Sequence, residues 1–187
     1  MTEKIVLVPG DGIGKEIAES VKAVSAVLTP AIMWVHHEAG AEYYEQHGAL
    51  FEPSLLEDIE HTGVCIKGPT ATPVGTGFRS INVQLRQAFH TNINLRPVHS
   101  LPGVNSRYED VDIVIFRENS EDLYKGVEYM YDRDTAHGIK IISKEASANI
   151  ITASFEYARK HHRHKVTCVH KANIMKLTDG LFLHTFE

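Results

Sequence analysis

The chain has 187 residues, of which 43% are hydrophobic and 23% are charged, and its formal net charge is −5 at neutral pH. Such a composition is typical of a globular protein with one or two cores. The acidic balance argues against nucleic acid as the main partner, because that binding needs a basic face. No apolar run approaches membrane length and no signal-peptide pattern opens the chain, so we expect a cytoplasmic protein without membrane contacts. Cys65 and Cys168 form no CxxC motif and are expected to be reduced.

Short apolar runs alternate with helical patterns in the N-terminal third. We predict strands over 5–8, 32–37 and 63–67, and helices over 16–28, over 41–46 and around Leu55 and Ile59. In the helix over 16–28 the apolar face is formed by Ile17, Val21, Val24 and Leu28. Alternating strands and helices with short connections predict an α/β fold with a mainly parallel sheet.

A glycine turn, PGDGIG at 9–14, joins the first strand to the first helix. A dinucleotide-binding fingerprint, GxGxxG, would require glycine at position 15, where the chain has Lys15. The spacing therefore favours a tight strand-to-helix connection over a nucleotide site.

The stretch over 67–98 carries the groups most suited to a small polyanion. A helix is predicted to begin near Ser80, with one apolar face formed by Ile81, Leu85, Ala88 and Phe89. Asn82 and Arg86 lie one turn apart on a different face, and Ser80 lies where a cap and the positive end of the helix dipole attract anions. Taken alone, the same pattern also fits a capped surface helix with a solvated arginine.

In the second half of the chain, an arginine follows each of two predicted strands. Strands predicted over 93–95 and 112–116 are followed by Arg96 and Arg117, where open α/β sheets bind ligands at the carboxyl edge. Two extended segments, 121–131 and 138–143, predict a protruding hairpin. A helix over 146–159, a strand over 165–170 and a helix over 174–186 complete the prediction, with Lys171 just past the last strand.

Five motifs carry a resemblance to a known family: VPGDGIG, KGPTATPVGTGFRSINVQLRQ, NLRPV, FRENSEDLYKGVE and VHKANIMKLTDGLF. The chain resembles the decarboxylating β-hydroxyacid dehydrogenases, the isocitrate/isopropylmalate dehydrogenase family, and most of all the NAD-type isocitrate dehydrogenases of bacteria. The resemblance implies an isocitrate dehydrogenase-like α/β fold with a parallel or mixed sheet, of which this chain is the N-terminal half. It assigns 1–92 to the large domain and 93–187 to the small domain, with a β-clasp at about 122–143 that joins a homodimer.

The resemblance also implies roles for individual residues. Three arginines would clamp the substrate carboxylates, two polar groups would hold a third carboxylate, and an acid and a base would move protons: Arg86, Arg96 and Arg117; Ser80 and Asn82; Tyr124 and Lys171. Thr72 is a weaker candidate for contact with the cofactor, and Lys67 and Asn119 are weaker still. Ser80 and Asn82 favour isocitrate over 3-isopropylmalate, because a buried hydroxyl or amide facing an apolar substituent is left unpaired at a cost of about 1–3 kcal/mol.

The activity implied is oxidative decarboxylation of isocitrate with NAD, or NADP, and Mg²⁺ or Mn²⁺. By the family's pattern the metal-binding aspartates are not in this chain, so a complementary C-terminal half is an expected partner. Two alternatives remain: 3-isopropylmalate or homoisocitrate as the substrate, and a non-catalytic, tricarboxylate-binding or regulatory subunit-like fragment. The presence of both Tyr124 and Lys171 favours an enzyme, because a pure binding role needs neither.

Overall fold

The computed structural model describes residues 3–28, 31–71 and 80–187. The chain divides into two compact units, Met1–Phe89 and His90–Glu187. The predicted division into parts of a large and a small domain stays a prediction. No described helix is both long enough and apolar enough to cross a bilayer.

The first unit is built on a three-stranded parallel sheet. Strands β1 (Glu3–Val8), β2 (Ile32–His36) and β3 (Cys65–Lys67) run in the order β2-β1-β3, so β1 is central. The helices of the unit are α1 (Gly14–Leu28), α2 (Ala41–His47), α3 (Leu55–Thr62) and α4 (Ile81–Ala88). The buried core is one cluster from β1, the helices and the segment after β2: Val6, Val8, Ala39, Leu55, Ile59 and Ile81.

Helix α1 forms as predicted, but its apolar face is not covered. Ile17, Val24 and Leu28 are 45%, 57% and 76% exposed, and the buried residues of the helix are instead Gly14 and Ala18. An open groove of about 380 Å³ runs along the helix. Most of the predicted apolar face is therefore open to solvent within the described residues.

The glycine turn is a tight chain crossing, as its spacing predicts. A Cβ at Gly10 would lie 2.0 Å from the Pro69 carbonyl oxygen, and one at Gly68 would lie 1.9 Å from that of Pro9. Asp11 holds the crossing together, because its carboxylate accepts hydrogen bonds from the N–H groups of Ala41, Glu42 and Ala71. The glycines of the crossing therefore serve close packing.

The second unit contains two antiparallel strand pairs and two helices. Strands β4 (Ile93–His99) and β5 (Asp112–Glu118) pair, as do β6 (Glu128–Met130) and β7 (Ala136–Gly138), which form the predicted hairpin in shorter form. Helix α5 (Lys144–Lys160) lies against β5, where the rings of Phe116 and Tyr157 meet edge to face at 5.4 Å. Helix α6 (Thr178–Phe186) contacts α5 through the Phe155 and Phe186 rings. The fold is therefore the predicted α/β class, with parallel pairing in the first unit and antiparallel pairing in the second.

Three predictions in this unit are wrong in detail. Arg96 and Arg117 lie inside β4 and β5 rather than past their ends, because each strand continues for as long as its antiparallel neighbour supplies partners. The 165–170 run is not a strand, since no described strand lies beside it to complete a ladder. Helix α6 begins at Thr178 rather than 174, because the amides of Ile174 and Met175 both bond to the Lys171 carbonyl and form a turn.

Candidate functional site

The start of α4 presents polar groups in the first unit. Ser80 occupies the cap position with an extended backbone (φ −49°, ψ 136°), and Asn82 and Arg86 follow on the helix, one turn apart. Within the described part of the chain, the Ser80 hydroxyl makes no capping hydrogen bond. The predicted helix is confirmed, and most of its predicted apolar face packs inward: Ile81 is buried, and Leu85 and Phe89 pack against the core. Ala88, the fourth residue of that face, is exposed.

Lys67, at the end of β3, faces the same region. Its ammonium donates hydrogen bonds to the Gly68 carbonyl (2.5 Å) and the Thr70 hydroxyl (3.2 Å). Burial lowers the pKa of Lys67, and the positive charge of Arg86 lowers it further, while nearby Asp11 opposes the change. Two cationic side chains therefore gather here, which is an arrangement suited to an anion. Thr72, the weaker cofactor candidate, lies outside the described residues.

One face of the β4–β5 pair carries two of the predicted clamp residues. Asn94 stands opposite Arg117 and Arg96 stands opposite Ile115, so both arginines and Asn94 project from the same face. Diagonal neighbours in such a ladder are about 7–8 Å apart, which is within reach of one small polyacid. Arg96 is exposed, and its Nε donates to the Asn94 side-chain oxygen at 3.1 Å. Asn94 thus orients Arg96, a role that the sequence pattern did not reveal.

Arg117 and Tyr124 contact each other directly. The guanidinium Nη2 donates to the Tyr124 hydroxyl oxygen at 2.5 Å, and its carbon lies 5.2 Å from the centre of the ring. The Tyr124 hydroxyl therefore accepts from Arg117, which leaves its own proton to be donated elsewhere. If that proton is lost, the guanidinium charge lies beside the oxygen that becomes negative. Tyr124 is 47% exposed, so a ligand can approach it.

Lys171 is fixed through its backbone and not through its side chain. Its N–H donates to Asp179 Oδ1 at 2.8 Å, and its carbonyl accepts from the amides of Ile174 and Met175. The residue is exposed, and within the described residues no hydrogen bond joins its side chain to Tyr124 or Arg117. Arg86 belongs to the first unit and the remaining acid–base and clamp residues to the second, so their joining in one site stays a prediction.

The acidic residues near Tyr124 do not fit a divalent metal. Glu118 accepts from the Ser120 hydroxyl and from the amides of Ser120 and Glu121. Glu121 accepts from the Ser143 amide, and Asp122 accepts from the Leu123 amide. Over residues 3–28, 31–71 and 80–187, no group of three or more His, Cys, Asp or Glu side chains could hold a metal ion. These carboxylates therefore stabilise the local backbone.

Comparison with known proteins identifies the family. The model of the isocitrate/isopropylmalate dehydrogenase family matches residues 4–187. The chain belongs to this family. The predicted family and the predicted fold class are both confirmed.

Three relatives of this dehydrogenase-family chain differ in their stated roles. It is 43% identical over 180 residues to the chloroplastic 3-isopropylmalate dehydrogenase of Solanum tuberosum, covering 96% of this chain and 50% of that protein. It is 45% identical over 177 residues to mitochondrial isocitrate dehydrogenase (NAD) catalytic subunit 5 of Arabidopsis thaliana, covering 95% and 47%. It is 44% identical over 181 residues to a regulatory subunit of the mitochondrial isocitrate dehydrogenase (NAD) of Dictyostelium discoideum, covering 97% and 49%.

Among solved structures, isocitrate dehydrogenase from Methylococcus capsulatus superposes with a TM-score of 0.92 at 42% identity. The match covers 98% of this chain and 56% of that one. The chain spans about half the length of the curated relatives it matches. Family membership is therefore settled, while catalytic and regulatory relatives are almost equally similar.

Proposed function

We propose that the complete protein oxidises isocitrate and releases CO₂ to give 2-oxoglutarate, with NAD, or alternatively NADP, as the hydride acceptor. The observation that carries this substrate is the polar start of α4, where Ser80 and Asn82 precede Arg86 by two turns or fewer. A hydroxyl and an amide can donate to a third carboxylate. An isopropyl group at the same place would leave both without a partner.

In this proposal the described residues would supply acid–base and binding groups for the chemistry. Arg96 and Arg117 share one strand face and suit paired bonds to carboxylates, because the planar guanidinium offers two parallel donors. Lys171 would take part in removing the proton of the C2 hydroxyl as the C2 hydride passes to the nicotinamide. The C3 carboxylate then leaves as CO₂, and Tyr124 would donate its proton to C3 of the resulting enolate.

The proposed cofactors are NAD and Mg²⁺ or Mn²⁺. Since no cluster among the described residues suits a metal, its ligands would have to come from outside them, and a complementary half of the protein is the proposed source.

The proposed location is the cytoplasm. Both cysteines are free thiols, and burial raises the pKa of each, which keeps them in the less reactive protonated form.

Two of the relatives support second candidates. The Dictyostelium regulatory protein favours a non-catalytic role, in which the arginine face binds a tricarboxylate without turnover. The potato enzyme favours 3-isopropylmalate as the substrate, and homoisocitrate belongs to the same alternative. The presence of Tyr124 and Lys171 still favours catalysis, because binding alone requires neither.

A dehydrogenase assay separates these candidates. The complete protein and the 187-residue chain are each incubated with NAD or NADP, Mn²⁺ and isocitrate, 3-isopropylmalate or homoisocitrate, and absorbance of the reduced nicotinamide is followed. We expect turnover with isocitrate and NAD by the complete protein. Isocitrate binding without turnover would support the regulatory role. Absence of both binding and turnover with isocitrate would overturn the proposal.

The clamp is tested by Arg96→Ala. We expect loss of isocitrate binding by at least about 100-fold, because a charge-assisted bidentate pair is removed. Isothermal titration calorimetry on the complete protein measures the affinity. Arg107→Ala is the matched control, since Arg107 is an exposed arginine of the same unit that lies over the Tyr108 ring. Equal affinities in the two variants would remove Arg96 from the site.

The helix start is tested by Ser80→Glu. A carboxylate at this cap position repels the third carboxylate of isocitrate, so we expect binding to fall below detection in the same titration. Ser154→Glu controls for the added charge, because Ser154 lies on α5, far along the chain from Ser80 and from the predicted clamp arginines. Retained isocitrate affinity in Ser80→Glu would exclude Ser80 from substrate contact.

A further inference from the structure

Three charged side chains of alternating sign, Asp122, Lys140 and Asp179, form a row in the second unit. The row lies between the segments that carry Tyr124 and Lys171, the two predicted acid–base residues. The ammonium of Lys140 is 2.7 Å from Asp179 Oδ2 and 3.7 Å from Asp122 Oδ2. Asp179 is 8% exposed, and the side chain of Lys140 is 21% exposed. An ion pair that is largely removed from water is held in one geometry, because breaking it leaves a charge without a partner.

At one end of the row, Asp179 fixes the backbone of Lys171. Its Oδ2 is occupied by Lys140, and its Oδ1 accepts the Lys171 N–H at 2.8 Å. Burial alone would raise the pKa of Asp179, but the hydrogen bonds from Lys140 and from the Lys171 amide outweigh it and lower the pKa. The carboxylate is therefore ionised and engaged on both oxygens. It links α6 to the segment that carries Lys171.

At the other end, Asp122 fixes the turn that carries Tyr124. Asp122 precedes a 3₁₀ turn at Leu123–Lys125, and its Oδ1 accepts the Leu123 N–H at 2.8 Å. Its own N–H donates to the Ile141 carbonyl at 2.8 Å, next to Lys140. Asp122 has a φ of +63°, a conformation that a non-glycine residue keeps only when its surroundings hold it. The charge of Lys140 and the bridge to Ile141 supply that support.

We propose that Lys140 and Asp179 are positioning residues that hold Tyr124 and Lys171 in fixed places within the second unit. Lys140 follows β7, so the same contacts also tie both residues to the base of the β6–β7 hairpin. The inference rests on the proposed function for the roles of Tyr124 and Lys171. The contacts themselves belong to the fold and can be tested without turnover.

Amide hydrogen exchange, measured by NMR on the 187-residue chain, tests the positioning directly. Asp179→Ala removes the acceptor of the Lys171 N–H, so exchange at Lys171 is expected to become at least about tenfold faster. Asp112→Ala is the matched control, because it breaks an ion pair of the same unit, with Arg163, that has no contact with Lys171 or Tyr124. Exchange at Lys171 no faster than in the control would overturn the proposal.

If Asp179→Ala does not fold, as judged by loss of its far-UV circular dichroism signal, Lys140→Met is measured instead. We expect faster exchange at both Lys171 and Leu123 in Lys140→Met, and recovery toward wild type in Lys140→Arg, which keeps the charge. Arg163→Met is the matched control for this pair of variants. Unchanged exchange at both amides in Lys140→Met would overturn the proposal.

Kinetics of the complete protein then show whether positioning matters for the reaction. In Lys140→Met we expect kcat to fall at least about tenfold with a nearly unchanged KM for isocitrate, and the pH profile of kcat to shift. Arg163→Met should leave both intact. A rise in KM alone, or an unchanged kcat, would contradict the inference. If the wild-type protein turns over no isocitrate, the proposed function fails, while amide exchange still decides the positioning.

Discussion

His37 is a buried polar residue of the first unit with hydrogen bonds at both ring nitrogens. It is 4% exposed, and its two ring nitrogens lie 2.6 Å from Glu52 Oε2 and 2.8 Å from Asp58 Oδ2. Only the charged imidazolium donates from both nitrogens, so both hydrogen bonds are satisfied together in that form. The residue therefore joins the end of β2 to α3 and to the segment before it. In the sequence it is one of two adjacent histidines, and nothing distinguishes it there.

Replacing His37 with leucine should destabilise the first unit by about 1–3 kcal/mol, because Glu52 and Asp58 lose their shared hydrogen-bond partner. Urea unfolding followed by the fluorescence of Trp34 measures the effect. Trp34 is the single tryptophan and lies on β2, three residues before His37.

His36→Leu is the matched control for this prediction, because His36 is the exposed adjacent residue, the last of β2. We expect its unfolding midpoint to stay close to that of wild type. Equal midpoints for His36→Leu and His37→Leu would show that the three-residue network contributes nothing measurable.

The β6–β7 hairpin is the described element least able to stand alone. All six of its strand residues are exposed, and Tyr129, Met130 and Tyr131 are 51%, 62% and 69% exposed. Within the hairpin, the rings of Tyr129 and Tyr131 pack on His137. An isolated two-stranded hairpin is marginally stable in water, so this one gains from a partner surface. The homodimer that the resemblance implies would supply such a partner.

If the hairpin forms the proposed dimer contact, Met130→Glu should weaken dimerisation by at least about tenfold, because a charge would enter an apolar interface. Sedimentation equilibrium of the complete protein measures the dissociation constant. Val104→Glu is the matched control, since Val104 is also 62% exposed and lies in the same unit, outside the hairpin. A dimer equally stable in both variants would place the interface elsewhere.

How well each element was predicted depends on how far apart in the sequence its interacting residues lie. Helix α4 was predicted correctly because its periodicity is local, and the glycine turn because its spacing departs from the dinucleotide-binding fingerprint. The close packing of Gly10 on Pro69 joins residues distant in sequence and was not predicted. The strand positions of Arg96 and Arg117 were not, because strand length is decided by a partner that is distant in sequence. The same reason explains the 165–170 run: its apolar residues fit a strand, but pairing needs a neighbour. Positioning by Lys140 and Asp179, 39 residues apart, leaves no local signal at all.

At the scale of the whole molecule, amphipathicity indicates that a helix has a partner but not which part of a protein supplies it. The apolar side of α1 was predicted from its spacing, and it is exposed in the described chain. The family was predictable because its motifs lie within this half-length chain, while the carboxylate-binding roles stay a prediction. A metal site was not predicted here, and the carboxylates of Glu118 and Glu121 accept hydrogen bonds from backbone amides.

Four of the described carboxylates have a lowered pKa in the folded chain, each for a structural reason. Glu42 is bonded by Lys15, Asp112 by Arg163, and Asp132 by the Asp134 amide and Thr135. For Asp179, burial raises the pKa, but the hydrogen bonds from Lys140 and the Lys171 amide bring it below its usual range. Since the unfolded chain binds protons at these groups at a higher pH than the folded chain does, unfolding takes up protons in mild acid.

The sign of the resulting pH dependence follows directly. The stability that these groups contribute is fully present above the ordinary carboxyl pKa values of about 4, and it is lost as pH falls through the lower folded-state values. We therefore expect the urea midpoint of the chain, measured by circular dichroism, to fall steadily as the pH is lowered from about 5 to about 2.5. Lys15→Met should reduce this loss, because it returns Glu42 toward its ordinary pKa, and Trp34 fluorescence reports the change in that unit. Lys4→Met, which removes an exposed lysine of β1, controls for the change in net charge. A midpoint that stays constant over this acidic range, or equal slopes in Lys15→Met and Lys4→Met, would contradict this account of the carboxylates.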